Sequence, residues 1–319
     1  ANNYYSENQW KLAKAIVDSS FPGKVFFGNS GAEANEAAIK LARKYGSTTG
    51  RFEIITMTKS FHGRTLAMIT ATGQDKVKHG FEPLPAGFIY VPFNDIEAVK
   101  KAINEKTIAV MLEPIQCEGG VNIADKVYMK ELRKLCDEKD LLVIFDEVQT
   151  GIARSGKMFC YQNYDITPDV MTLAKALGGG LPIGACVAGV KCQDVLTPGT
   201  HASTFGGSPI VCAAALAVFE VIKKEKLIKN AEVMGNYIRK KLEALKAKYG
   251  FIKEIRNMGL IIGVELNIDG DDVYKGCMKE GLLINCTQGK VLRIMPPVTI
   301  TKKEADQAVS ILDKVLSRF

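Results

Sequence analysis

Five consecutive apolar residues, Leu141 to Phe145, run straight into two acids, Asp146 and Glu147. A short unbroken apolar run containing β-branched residues suits a strand buried on both faces of a parallel sheet, because helices cover both sides of such a sheet. The run therefore points to a doubly covered α/β sheet and delivers two carboxylates to the carboxyl end of one strand. A second apolar segment, Val170 to Leu173, is followed by Lys175 and then by Gly178, Gly179 and Gly180, where the backbone must turn tightly or pass close to another group. An acid and an amine thus leave the ends of two neighbouring strands, and open α/β sheets bind their ligands outside those ends. Taken singly, each is as ordinary as any strand-end polar residue facing water.

The 319 residues are 47% hydrophobic and 24% charged, proportions that build a substantial globular core, and two domains are the natural expectation. The net charge of +7 is spread over single lysines, with one dense cluster at Lys223 to Lys226. Solvated helix faces account for it better than a nucleic-acid surface does. No apolar run approaches the ~20 residues of a membrane span. The opening ANNYYSENQW has no signal-peptide organisation, so a cytoplasmic chain is expected. Eight cysteines are scattered without a CxxC pair, which suits reduced, buried thiols rather than a disulfide frame or a zinc site. Three histidines argue against a His-based metal centre.

The segments FDEVQTG and TLAKALGGGLPIGA, taken with their spacing, resemble the class III, fold-type I aminotransferases that use pyridoxal phosphate. The resemblance runs over essentially the whole chain, with motifs from Ser30 to Arg293 in the expected order. It implies a mostly parallel central sheet flanked by helices, with a large cofactor-binding α/β domain over residues 1–224. A smaller C-terminal α+β domain is expected over 225–319, and several dozen residues that precede the first helix in the family are expected to be missing. Asp146 and Lys175 are a pair that a pyridine aldehyde can use: Lys175 forms the Schiff base, and Asp146 holds the ring nitrogen protonated so that the ring accepts electrons.

The remaining motifs are weaker alone. Ser30, Gly31 and Ala32 open a helix whose apolar positions Ala34, Ala38, Leu41, Ala42 and Tyr45 follow the 3.6 period. Free N–H groups and the positive dipole end make such a start an anion site, though Ser/Gly helix starts are common; by resemblance it cradles the cofactor phosphate. In SFHGRTL, Phe61 reads as a core residue and His62 as a satisfied loop histidine. The resemblance instead lays Phe61 over the pyridine ring and gives Arg64 a substrate carboxylate, which its planar fork binds bidentately. The FHGRTL spelling is closer to members acting on N2-acetylornithine than to those acting on ornithine, which tend to carry Trp at position 62.

In TIAVMLEPIQCEGG a buried strand ends at Leu112 and sends Glu113, Gln116 and Glu118 outward. Glu118 alone reads as a solvated loop residue; in the family the matching position gates an arginine. Cys117 stands where the family usually has glycine, and a thiol close to an aldehyde cofactor invites a reactive role. By resemblance Val148 packs on the ring face opposite Phe61, and Gln149 hydrogen-bonds the ring's phenolic oxygen. LTPGTHASTFGGSP lacks periodicity and reads as a loop. Its Thr204 matches a threonine that binds the phosphate held by the other subunit, implying a homodimer with shared active sites. Arg293, on a short strand before Pro296 and Pro297, would ordinarily be a surface residue; in the family it grips the substrate α-carboxylate.

The expectation is an aminotransferase that exchanges an amino group between N2-acetylornithine and 2-oxoglutarate, giving N-acetylglutamate 5-semialdehyde and glutamate in arginine biosynthesis. Ornithine, 4-aminobutyrate and succinyldiaminopimelate are alternative substrates on the same fold. A noncatalytic dimeric binding module is a further alternative, but one expected to have lost Lys175.

Overall fold

The computed structural model describes residues 4–319. The chain opens with α1 (Glu7–Ser19), β1 (Gly23–Gly28), α2 (Gly31–Gly46), β2 (Glu53–Met57), α3 (Leu66–Ala71), β3 (Phe88–Val91), α4 (Ile96–Ala102) and β4 (Thr107–Leu112). Two short strands follow, β5 (Ile115–Gln116) and β6 (Asn122–Ile123), then α5 (Lys126–Glu138), β7 (Leu142–Asp146), β8 (Val170–Leu173), β9 (Gly184–Gly189) and α6 (Pro209–Lys224). The last part holds α7 (Leu227–Lys248), β10 (Ile252–Met258), β11 (Ile261–Leu266), α8 (Gly270–Lys279), β12 (Asn285–Thr287), β13 (Val291–Ile294) and α9 (Lys302–Leu316).

The chain forms two compact units. The first comprises the described residues through Pro114, Ala124–Gly151 and Phe159–Val221; the second comprises Ile115–Ile123, Ile152–Met158 and Ile222–Phe319. The sequence reading drew one cut after residue 224, whereas the second unit also takes two excursions out of the middle of the chain.

In the first unit a seven-stranded sheet runs β1-β9-β8-β7-β4-β2-β3. The pairs β8–β7, β7–β4, β4–β2 and β2–β3 are parallel, while β9 lies antiparallel to both β1 and β8. Strands β4, β7 and β8 are buried along their whole length, as unbroken apolar runs demand. Their register brings the ends level, Leu112 opposite Phe145 and Asp146 opposite Thr172. Glu113, Glu147 and Lys175 therefore all follow strands that end along one edge of the sheet. Helix α2 buries Ala37, Ala38, Leu41 and Ala42 with the apolar residues of these strands.

In the second unit β10-β11-β13-β12 form an antiparallel sheet. Residues of α7, α8 and α9, among them Ile238, Leu242, Val273 and Leu312, share one apolar core with β10, β11 and β13. Thr301 and Glu304 form a reciprocal capping box that starts α9. The excursion through 115–123 is pinned to this unit: Arg256 donates to the carbonyls of Gly120 (2.8 Å) and Val121 (3.3 Å). A Cβ at Gly263 would lie 2.8 Å from that of Val121, so only glycine leaves room for this approach. All eight cysteines are free thiols, seven of them buried. Among the described residues no helix is long and apolar enough to cross a membrane.

Candidate active site

Ser30 caps α2, its extended backbone allowing Oγ to accept the N–H of Glu33 at 3.2 Å. Glu33 reaches back to the N–H of Asn29 at 3.0 Å, so cap and first turn hold each other. Gly31 and Ala32 supply the first two N–H groups of the helix, which have no carbonyl one turn back to bond. The position of this start is tightly set. A Cβ on Gly31 would come 2.7 Å from Val148 Cγ1 and 3.5 Å from Ala174 Cβ, and one on Gly63 would come 2.9 Å from Ala32 Cβ. The helix start, the residue before Lys175, the residue two past Asp146 and the FHGR loop thus converge on one place.

Lys175 begins a single 3₁₀ turn, Lys175–Gly178, and adopts φ +45°, a left-handed conformation that costs a non-glycine residue of order 1 kcal/mol. Its side chain is exposed. The chain then turns through Gly179 (φ +58°) and Gly180 (φ +111°), where side chains are disfavoured. Such an outlier, held at a strand end next to an anion-receptive helix start, is where strain and function coincide.

Asp146 is nearly fully buried. Its Oδ2 accepts Asn35 Nδ2 and His62 Nδ1, each at 2.8 Å, and its Oδ1 accepts the N–H of Val148 at 3.1 Å. Asn35 in turn accepts Thr172 Oγ1 at 2.6 Å. The sequence reading did not link Asp146 to these partners. Asn35 carried a signal, a polar residue on the apolar face of α2, but His62 carried none beyond adjacency to Phe61. Glu113, also buried, accepts the N–H of Phe61 at 3.0 Å, and the Arg64 guanidinium lies 5.1 Å from the centre of the Phe61 ring. Val148 and Gln149 are half-buried. Thr204 is exposed on its loop, next to Ser203, whose Oγ accepts from Asn29 Nδ2 and from the N–H of Gly206, both at 3.1 Å.

Glu147 faces away from this chemistry. It accepts the N–H groups of Cys160 (2.5 Å) and Tyr161 (2.7 Å). Burial pushes its carboxyl from 4.5 up to about 7, with those two hydrogen bonds opposing. A folded state that binds the proton more tightly than the unfolded chain gains stability that is complete below about pH 4.5 and is lost as pH rises through about 7. At about 1.4 kcal/mol per unit this share is about 3 kcal/mol. Glu147→Gln cannot titrate, so the stability of wild type relative to the variant is expected to fall by about that amount between pH 4.5 and 7.5. Urea midpoints of both proteins across that range measure it; a constant difference would show that Glu147 titrates normally.

In the second unit Arg293 on β13 and Glu118 in the β5–β6 turn form an ion pair, Nη1 to Oε1 at 2.5 Å, with 12% and 32% of their side chains exposed. Gln288 Nε2 donates to the Glu118 carbonyl at 2.9 Å and steadies the turn. Cys117 beside it is fully buried.

Solved structures share this fold over nearly the whole chain. The ornithine aminotransferase of Toxoplasma gondii matches with a TM-score of 0.94 at 34% identity, covering 99% of this chain and 77% of that one. A second structure of that enzyme, covering 98% of this chain, is described as having partial occupancy of PLP at its active site. The acetylornithine aminotransferase of Elizabethkingia anophelis matches with a TM-score of 0.85 at 33% identity, covering 99% of this chain and 80% of that one. The fold is therefore that of an aminotransferase. Residues 1–316 match the family described as Aminotransferase class-III, and the chain belongs to that family. Among its relatives is the acetylornithine aminotransferase of Methanocaldococcus jannaschii, 52% identical over all of this chain and 81% of the relative. The protein of the same name from Caldanaerobacter subterraneus is also 52% identical, over all of this chain and 82% of the relative.

Proposed function

We propose that this aminotransferase moves an amino group between N2-acetylornithine and 2-oxoglutarate in arginine biosynthesis, with pyridoxal 5'-phosphate as its cofactor. The observation that carries the reading is the close approach of Gly31 to Val148 and Ala174, which sets an anion-receptive helix start beside the Asp146 strand end and Lys175. The donor set fits a phosphorylated pyridine aldehyde: N–H groups for a phosphate, a buried carboxylate for a ring nitrogen and an exposed amine for the aldehyde. Two relatives at 52% identity that carry the name acetylornithine aminotransferase support the substrate.

When bound, pyridoxal phosphate supplies an electron-accepting ring that makes the hydrogen on the amine-bearing carbon acidic. Ser30, Gly31 and Ala32 would hold its phosphate, Phe61 and Val148 would pack against the ring, and Gln149 would donate to the phenolic oxygen. Asp146 accepts the ring N–H. The amine of Lys175 would take the proton from the substrate carbon and return it to the ring-side carbon across the bridging nitrogen. Arg64 and Arg293 take substrate carboxylates through their planar forks. Thr204 is assigned to the phosphate of a second subunit, which makes the enzyme a homodimer, and the compartment is the cytoplasm.

Side-by-side turnover of N2-acetylornithine, ornithine and 4-aminobutyrate tests the substrate. The acetylated substrate is expected to lead in kcat/KM by at least about tenfold, about 1.4 kcal/mol of transition-state discrimination. A preference for either competitor would overturn it. Sedimentation of the same preparation should give a dimer, and an active monomer would remove the shared site.

A further inference from the structure

The Asp146 carboxylate is supplied with donors unequally. Oδ2 takes both side-chain donors, Asn35 Nδ2 and His62 Nδ1, whereas Oδ1 takes the single backbone N–H of Val148. The two side-chain donors are themselves locked. Asn35 also donates to the His62 carbonyl at 2.7 Å, and the His62 N–H donates to Thr72 Oγ1 at 2.9 Å. Asn35 cannot swing without breaking a second bond, and the His62 ring is wholly buried on a backbone that is itself anchored.

The imidazole of His62 is wholly buried, and its Nε2 has no hydrogen-bond partner among the described residues. A ring nitrogen sealed from water without a partner is costly, and an apolar side chain would fill the same space without that cost. Packing alone is therefore a poor reason for a histidine here. Because Nδ1 faces a carboxylate oxygen, the proton is assigned to Nδ1, and among the described residues the ring's one polar contact is with Asp146.

We propose that His62 is a positioning residue for amino transfer: with Asn35 it occupies Oδ2 of Asp146, stops the carboxylate rotating about Cβ–Cγ, and so reserves Oδ1 for the ring N–H of the cofactor. The inference rests on the reading in which Asp146 meets the ring nitrogen. A carboxylate with two equivalent, mobile oxygens would share that proton less well, and the ring would accept electrons less readily.

Asparagine and leucine nearly match in shape, and asparagine Nδ2 can stand in for Nδ1, so His62→Asn and His62→Leu differ chiefly in the donor. His62→Gln, whose amide reaches instead toward the Nε2 position, is a polar control that also serves where the leucine variant does not fold. Each protein is loaded with ¹⁵N-labelled pyridoxal phosphate and read in two ways: the ring ¹⁵N chemical shift, and kcat/KM for the amino donor. The leucine and glutamine variants are expected to move the ¹⁵N signal toward the unprotonated ring and to lose about 10- to 100-fold in kcat/KM, the worth of one charge-assisted hydrogen bond. The asparagine variant is expected to keep the wild-type ¹⁵N shift and to recover to within about fivefold. If all the variants that fold share one ¹⁵N shift and one rate, His62 only fills space and the proposal fails. A wild-type enzyme whose bound ring nitrogen carries no proton would instead overturn the role of Asp146, an outcome visible before any variant is made.

Discussion

Lys175→Ala is expected to abolish both half-reactions, with a loss of at least about 10⁴-fold, because the residue proposed to carry and return the proton is removed outright. The fold should not notice. Lys175 is exposed and its left-handed backbone is already strained, so stability is expected to stay within about 1 kcal/mol of wild type. Lys175→Arg is expected to fail equally, since a guanidinium does not give up its proton and cannot act as a base. Single-turnover rates with glutamate, alongside urea midpoints, separate lost chemistry from lost structure. Wild-type rates in the alanine variant would remove Lys175 from the mechanism.

The second large effect is a split between substrates. Glutamate reacts at an amine beside an α-carboxylate, whereas N2-acetylornithine reacts at an amine flanked by plain methylene. We propose that Glu118 neutralises Arg293 while acetylornithine is bound and yields it when glutamate or 2-oxoglutarate arrives. The pair is closed at 2.5 Å, with the arginine mostly buried. Removing the carboxylate leaves that guanidinium without this partner, which is costly where solvent is scarce. Glu118→Ala is therefore expected to spare or speed the glutamate half-reaction and to slow the acetylornithine half-reaction by about tenfold or more. The turn itself should persist, because Gln288 holds it through a backbone carbonyl. Equal losses in both half-reactions would mean that Glu118 is no gate.

Elements with strong periodicity were readable in advance. The run ending in Asp146 is a buried central strand, and Ser30 does cap α2. Strand direction was not readable. Gly184–Gly189 is small, apolar and buried throughout, and such a run reads alike whether it lies parallel or antiparallel; here it is antiparallel to both neighbours. Short elements such as α8 and the three-residue β12 gave too few turns or alternations to recognise. The contacts of the candidate site were not readable. His62 and Asp146 are 84 residues apart, and no local pattern announces that they meet. The excursion of 115–123 into the second unit was hidden for the same reason, since the hydrogen bonds that pin it come from Arg256.

That excursion has a kinetic consequence. Glu118 and Arg293 are 175 residues apart in sequence yet belong to one compact unit. Parting them requires no hinge, only χ rotation of a glutamate whose side chain is one-third exposed. Such rotations take picoseconds to nanoseconds, whereas collective domain motions take microseconds to milliseconds. With turnover typically in the range of about 1–10³ s⁻¹, the pair can open and reclose many times within one catalytic cycle. In the proposed switch the choice between the two substrates is then made at equilibrium, by whichever carboxylate competes better for the guanidinium, and not by the speed of any gate.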